Sequence, residues 1–89
     1  MIYAIVSHPV QDFEVWKPVF DGDSARATNA GIVIVKLLRG LENPNLVTIV
    51  CTAPSLEGFN AFFHDPILPE LMKNGGVLAP PTVEIFTEA

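Results

Sequence analysis

Four segments rich in β-branched and other apolar residues, at 2–7 (IYAIVS), 32–39 (IVIVKLLR), 46–53 (LVTIVCTA) and 82–87 (TVEIFT), alternate with helical patterns in the order β-α-β-β-α-β. That order, in 89 residues whose helices are long enough to cover one face of a four-stranded antiparallel sheet, predicts an α+β fold of the ferredoxin-like plait type. Composition agrees with a packed globular chain: 49% of residues are hydrophobic and 17% are charged, against a usual charged share of roughly 25%. A lone cysteine excludes a disulfide scaffold. The length fits one domain spanning residues 1–89.

The first strand stops at His8-Pro9, because proline cannot donate to a ladder. Asp12 is a fitting N-cap for a helix whose apolar positions Phe13, Trp16, Phe20 and Ala27 follow helical spacing toward Gly31. Pro18 removes one helical hydrogen bond and crowds the carbonyl four residues back. The expectation is a short first turn over 12–17 and a kink or restart at Pro18. Strands 32–39 and 46–53 form a hairpin through Gly40 to Asn45. Ser55 caps a second helix through Leu56, Phe59, Phe62 and Phe63, and Asp65-Pro66 starts a further turn or two through Leu68, Leu71 and Met72. Gly75-Gly76 ends it, and a proline-rich loop leads into the last strand.

Both faces of the sheet read as apolar. Ala4 and Val6 alternate with Tyr3 and Ile5, Ile32 and Ile34 with Val33 and Val35, and Val50 with Ile49 and Cys51, where a solvated face would alternate polar residues. The helices cover only one face, so the other is expected to pack on a second copy with two-fold symmetry. The charge count argues against other partners. Ten acids against five scattered bases give a net charge of −5, which suits neither nucleic acid nor an anionic membrane. No basic leader segment and no long apolar stretch stand in the sequence, so a cytoplasmic protein is expected, with Cys51 as a small buried hydrophobe.

The element order, the segment Asp12-Phe13-Glu14-Val15-Trp16-Lys17-Pro18-Val19-Phe20-Asp21, the Asn43-Pro44-Asn45 turn and the stretch from Gly75-Gly76-Val77 to Pro80-Pro81 resemble small bacterial proteins of the dimeric α+β barrel superfamily. The likeness covers nearly the whole chain. It implies a homodimeric α+β barrel with a cleft between helices and sheet in each subunit. That superfamily includes antibiotic-biosynthesis-monooxygenase-like proteins, haem-degrading enzymes, muconolactone-isomerase-like proteins and polyketide cyclases, so the resemblance implies no single reaction. Haem-degrading members use an Asn, a Trp and a His; here Trp16 lies on the first helix and the first strand has no Asn. The monooxygenase-like members act on polycyclic aromatic substrates without bound metal or flavin.

Candidate chemistry rests on His8 and His64, whose ordinary titration range lies nearest neutrality. His64 stands at a helix C-terminus beside Asp65, which is placed to orient it or to cap the next turn. His8 closes the first strand near the mouth of the expected cleft. Trp16, Phe20, Phe59 and Phe63 are candidates for a flat aromatic pocket, though a helical stripe of this kind also builds ordinary core. Tyr3 is a candidate donor to a ligand oxygen, and Arg26 a candidate carboxylate binder with Asp21 and Asp23 as competing ion-pair partners. No metal or cofactor is expected: HxH, HExxH, CxxC and glycine-rich phosphate loops are all missing. Two readings stand: a binder of a small apolar or aromatic molecule acting as a cofactor-free oxygenase, cyclase or isomerase, and a non-catalytic binding or interaction module.

Overall fold

The computed structural model describes residues 1–89 and orders them as β1 (Ile2–Pro9), α1 (Phe13–Gly22), α2 (Ser24–Asn29), β2 (Val33–Arg39), β3 (Leu46–Ala53), α3 (Leu56–Phe63), α4 (Ile67–Asn74) and β4 (Thr82–Thr87). All strand pairs are antiparallel and the sheet runs β2-β3-β1-β4, the strand order of the ferredoxin-like plait. No helix is long and apolar enough to cross a membrane.

Local chemistry sets the helix starts. The Asp12 side chain accepts the Glu14 backbone N–H at 2.9 Å, Ser55 Oγ accepts that of Gly58 at 3.0 Å, and Asp65 accepts that of Ile67 at 3.0 Å. Gly31, which ends the first helical pair, has φ 76°, and a Cβ there would lie 2.8 Å from the Pro54 ring.

The first helix does not restart at Pro18: α1 continues through it to Gly22, and the restart falls at Asp23. Pro18 and Glu14 are both exposed, so the carbonyl that loses its donor faces water. The first strand likewise continues through His8 to Pro9. Pairing with β4 ends at Ser7, so at Pro9 one side of β1 already has no ladder to interrupt.

A second departure fixes which residues face the helices. Strict alternation along 32–39 would turn Lys36 inward together with Ile32 and Ile34. The register shifts between Ile34 and Lys36, so Val35 is the extra residue of a bulge. Lys36 consequently joins the open face opposite Val50, and Leu37 turns inward opposite Ile49. Burying an unpaired ammonium costs far more than one irregular ladder position.

The open face is therefore mixed, and the expectation of two fully apolar faces is corrected. Across the strands it carries Val33, Thr52, Tyr3 and Phe86 in one row, Lys36, Val50, Ile5 and Glu84 in the next, and Leu38, Thr48, Ser7 and Thr82 in the third. Ser7 Oγ and Thr48 Oγ1 bond across the last row at 2.7 Å. All of β4 is exposed. The chain exposes 5656 Å², against about 5,100 Å² for a compact monomer of this mass.

On the helix side the core is divided. Ala4, Val6, Ile32, Cys51, Ala53 and Phe59 form one cluster, and Val10, Trp16 and Val47 form another. Ile49 packs against both.

Candidate functional site

Between the two clusters lies a cavity of about 150 Å³, half open to solvent, whose walls come from every helix and from β1, β2 and β3. β1 supplies Val6 and His8, inward-facing by the same alternation that buries Ala4. From α1, Trp16 and Phe20 stack with ring centroids 4.8 Å apart, and from α3 Phe59 and Phe63, one helical turn apart, stack at 5.4 Å. Leu68, Leu71 and Met72 of α4 close the far side. The α4 terminus is drawn tightly onto this wall: a Cβ at Gly75 would lie 2.9 Å from Trp16 Cδ1.

His8 is the one buried polar side chain of the molecule, 5% exposed, and its Nδ1 has no hydrogen-bond partner. Its ring meets Trp16 edge-on, with centroids 5.6 Å apart and planes at 66°. Burial holds its pKa below the ordinary 6.5, with its own backbone pulling weakly the other way, so the imidazole is neutral at pH 7. A neutral ring offers one acceptor nitrogen and one N–H. Cys51 also lines the cavity, and burial pushes its thiol up, away from the reactive thiolate.

The other polar groups of the wall sit at its rim. Asp23 takes a two-pronged bond from Arg26, Nε and Nη2 each at 2.9 Å, and Asp21 is paired with Lys17 at 2.7 Å. Ser24 is exposed there. No three His, Cys, Asp or Glu side chains approach closely enough to hold a metal ion together.

Of the residues singled out in the sequence, His8, Trp16, Phe20, Phe59 and Phe63 converge on this cavity, and Tyr3, Arg26 and His64 do not line it. Tyr3 lies on the opposite sheet face, where its hydroxyl donates to Glu88 Oε1 at 3.0 Å; that bond to a carboxylate raises its pKa. Arg26 is engaged elsewhere: beyond Asp23 it donates from Nη1 to the Phe62 carbonyl at 2.8 Å and stacks 4.0 Å over the Phe62 ring. His64 is exposed at the end of α3, with Nδ1 3.0 Å from the Asn60 carbonyl, and Asp65 bonds Ile67 instead of orienting it.

Sequence reading missed Ile49, Cys51 and Met72 as cavity wall. The alternation of Val47, Ile49, Cys51 and Ala53 along β3 carries the signal for the first two.

A plait with paired helices on one face and an apolar cavity beneath them is the ferredoxin-like fold, and the chain shares it with solved structures described as antibiotic biosynthesis monooxygenases. Individual solved structures make the likeness concrete. One is a Bordetella bronchiseptica protein provisionally described as an antibiotic biosynthesis monooxygenase, with a TM-score of 0.81 and 21% identity over 99% of this chain and 96% of that one. Another is SnoaB, a cofactor-independent oxygenase from Streptomyces nogalater, with a TM-score of 0.78 and 15% identity over 99% and 92% of the two chains. A Nitrosomonas europaea protein with the same provisional description matches at a TM-score of 0.75 and 12% identity, over 99% and 98%. No protein-family model matches the chain, and no curated protein matches it by sequence. At these identities the likeness is one of fold, and function has to be argued from the cavity.

Proposed function

We propose that this chain is a single-domain, cytoplasmic, homodimeric protein that binds a small apolar or aromatic molecule in the cavity between helices and sheet and transforms it without a bound cofactor. The observation that carries this reading is His8: a neutral imidazole, buried without a partner at Nδ1, in a wall otherwise made of aromatic and aliphatic side chains. His8 is the one buried polar side chain in that wall and makes no side-chain hydrogen bond within the protein, which supports a polar role for its cavity-facing edge. Such an imidazole suits the removal of a proton from a hydroxyl or an activated carbon, the step with which cofactor-free isomerisation, cyclisation or oxygenation begins. The described activity of SnoaB, a cofactor-independent oxygenase on the same fold, fits this class of chemistry.

The second copy would cover the open face, whose central row holds Val50 and Ile5. Phe86, Leu38 and Val33 stand exposed at its corners. A panel of apolar and aromatic compounds, read by thermal shift on the wild type and His8→Leu, tests the ligand site. Several compounds should raise the wild-type Tm, and any turnover found should vanish in the variant. A panel without a single stabilising compound would refute the proposal.

A further inference from the structure

We infer that Arg26 is a clasp at the rim of the cavity: it fastens the corner between α3 and α4 to α2, and its release lets α4 swing outward on its C-terminal end and widen the opening. The part this gate plays in ligand exchange rests on the cavity being the ligand site; the motion itself does not.

One guanidinium makes the clasp. On its own side Arg26 holds the Asp23 carboxylate by two bonds, from Nε and Nη2, each at 2.9 Å. Toward α3 it donates from Nη1 to the Phe62 carbonyl at 2.8 Å, lies 4.0 Å over the Phe62 ring and stands 3.9 Å from Asp65 Oδ2. That carbonyl is one of the last of α3, which the helix itself leaves short of donors. The cavity wall runs on both sides of the bridge, through Asp23, Ser24 and Ala27 on one and Phe62, Phe63 and Leu68 on the other. Breaking the bridge therefore separates two parts of one wall.

The element suited to move is α4. None of its residues is buried, although Leu68, Leu71 and Met72 line the cavity. Its two ends are held unequally. At the C-terminal end Gly75 is buried against Trp16, Val77 bridges to Val10, and the Gln11 N–H donates to the Gly76 carbonyl at 2.9 Å. Gly76, at φ 75°, marks the pivot. At the N-terminal end the cap position is Pro66, without a side-chain bond, and the polar tie from this corner across to α2 is Arg26. Segments with few buried contacts open below the free energy of global unfolding, and lids are drawn from them.

The test is amide hydrogen exchange on the full chain, wild type, Arg26→Leu and Arg26→Lys, each beside its own urea unfolding curve. In the wild type, amides of residues 67–74 should exchange through an opening that urea hardly accelerates, while those of β1 and β3 exchange only with global unfolding. In Arg26→Leu, exchange over 67–74 should speed by at least about tenfold beyond what the loss of global stability accounts for, the worth of one charge-assisted bond. Arg26→Lys should recover part of this, since an ammonium cannot fork onto Asp23 and reach Phe62 together. Cys51, 3% exposed in the cavity wall, reports the widening: its labelling by methyl methanethiosulfonate, small and neutral, should quicken in Arg26→Leu as α4 exchange does. Wild-type α4 amides that exchange together with those of β1 and β3 would overturn the gate, even where a variant fails to fold. So would a rise over 67–74 in Arg26→Leu no larger than in the sheet, and unchanged Cys51 labelling beside faster α4 exchange would overturn the widening. None of these results bears on the ligand site, and a compound panel without a binder leaves the motion standing.

Discussion

Replacing His8 by Leu should make the protein more stable at pH 7.5. The imidazole is 5% exposed and holds no bond at Nδ1, and leaving a buried polar group unpaired costs about 1–3 kcal/mol. Leucine removes that cost and fills similar space, but loses the edge-on contact with Trp16, worth about 0.5–1.5 kcal/mol. The net expectation is a gain of about 1 kcal/mol, or roughly 4–8 °C in Tm for a domain of this size. Acid should widen the difference. The folded pKa of His8 lies below its unfolded value near 6.5, so as pH falls the unfolded chain takes up the proton first. Wild-type stability is thus undiminished above about pH 6.5 and declines as pH falls through the folded pKa, with a slope of up to about 1.4 kcal/mol per pH unit from this group. His8→Leu lacks that contribution. Urea unfolding at pH 7.5 and 5.5, at one fixed protein concentration, measures both effects. A destabilised His8→Leu with an unchanged m value at pH 7.5 would refute the reasoning, because it would mean that the imidazole is satisfied in the native protein.

Two further outcomes follow from packing and register. Phe59→Ala should cost about 3–5 kcal/mol in denaturant unfolding, since Phe59 is 2% exposed and anchors the larger core cluster; a loss below about 1 kcal/mol would mean that α3 does not pack there as described. In the middle row of the open face Lys36 and Glu84 occupy opposite edges, so a two-fold axis parallel to the strands sets each lysine against the glutamate of the other copy. Lys36→Glu or Glu84→Lys alone should then weaken the dimer about tenfold in analytical ultracentrifugation, and the double reversal should restore it; equal weakening by the double variant would exclude that axis.

Element order, caps and the β2-β3 hairpin were legible in the sequence because each rests on local chemistry. Asp12 and Ser55 cap as their residue types require, Asp65 holds the Ile67 N–H just ahead of the N-cap Pro66, and β3 and β4 span the expected residues. Features that depend on tertiary surroundings were not. Whether Pro18 breaks a helix depends on water reaching the carbonyl it frees, and the bulge at Val35 depends on where Lys36 would otherwise point. The aromatic half of the cavity was readable from helical spacing at Trp16, Phe20, Phe59 and Phe63. His8 and His64 look alike in sequence. They are separated by the parity of one strand, which turns His8 inward with Ala4 and Val6, and by a cap position that leaves His64 in solvent.

The divided core bears on why such a cavity persists. Only 11 of the 89 residues are buried, so this chain has little stability to spare. The orphan imidazole costs about 1–3 kcal/mol, a sizeable share of the roughly 5–15 kcal/mol by which whole domains are stable, and leucine at His8 would relieve it. Folding alone gives no reason to hold a gap and an unpaired polar group side by side between two clusters that Ile49 already touches on both sides. Local violations of good packing that coincide in one concave place are the physical mark of a site kept for a ligand. In the proposed dimer, burial of the open face against a second copy would offset that cost.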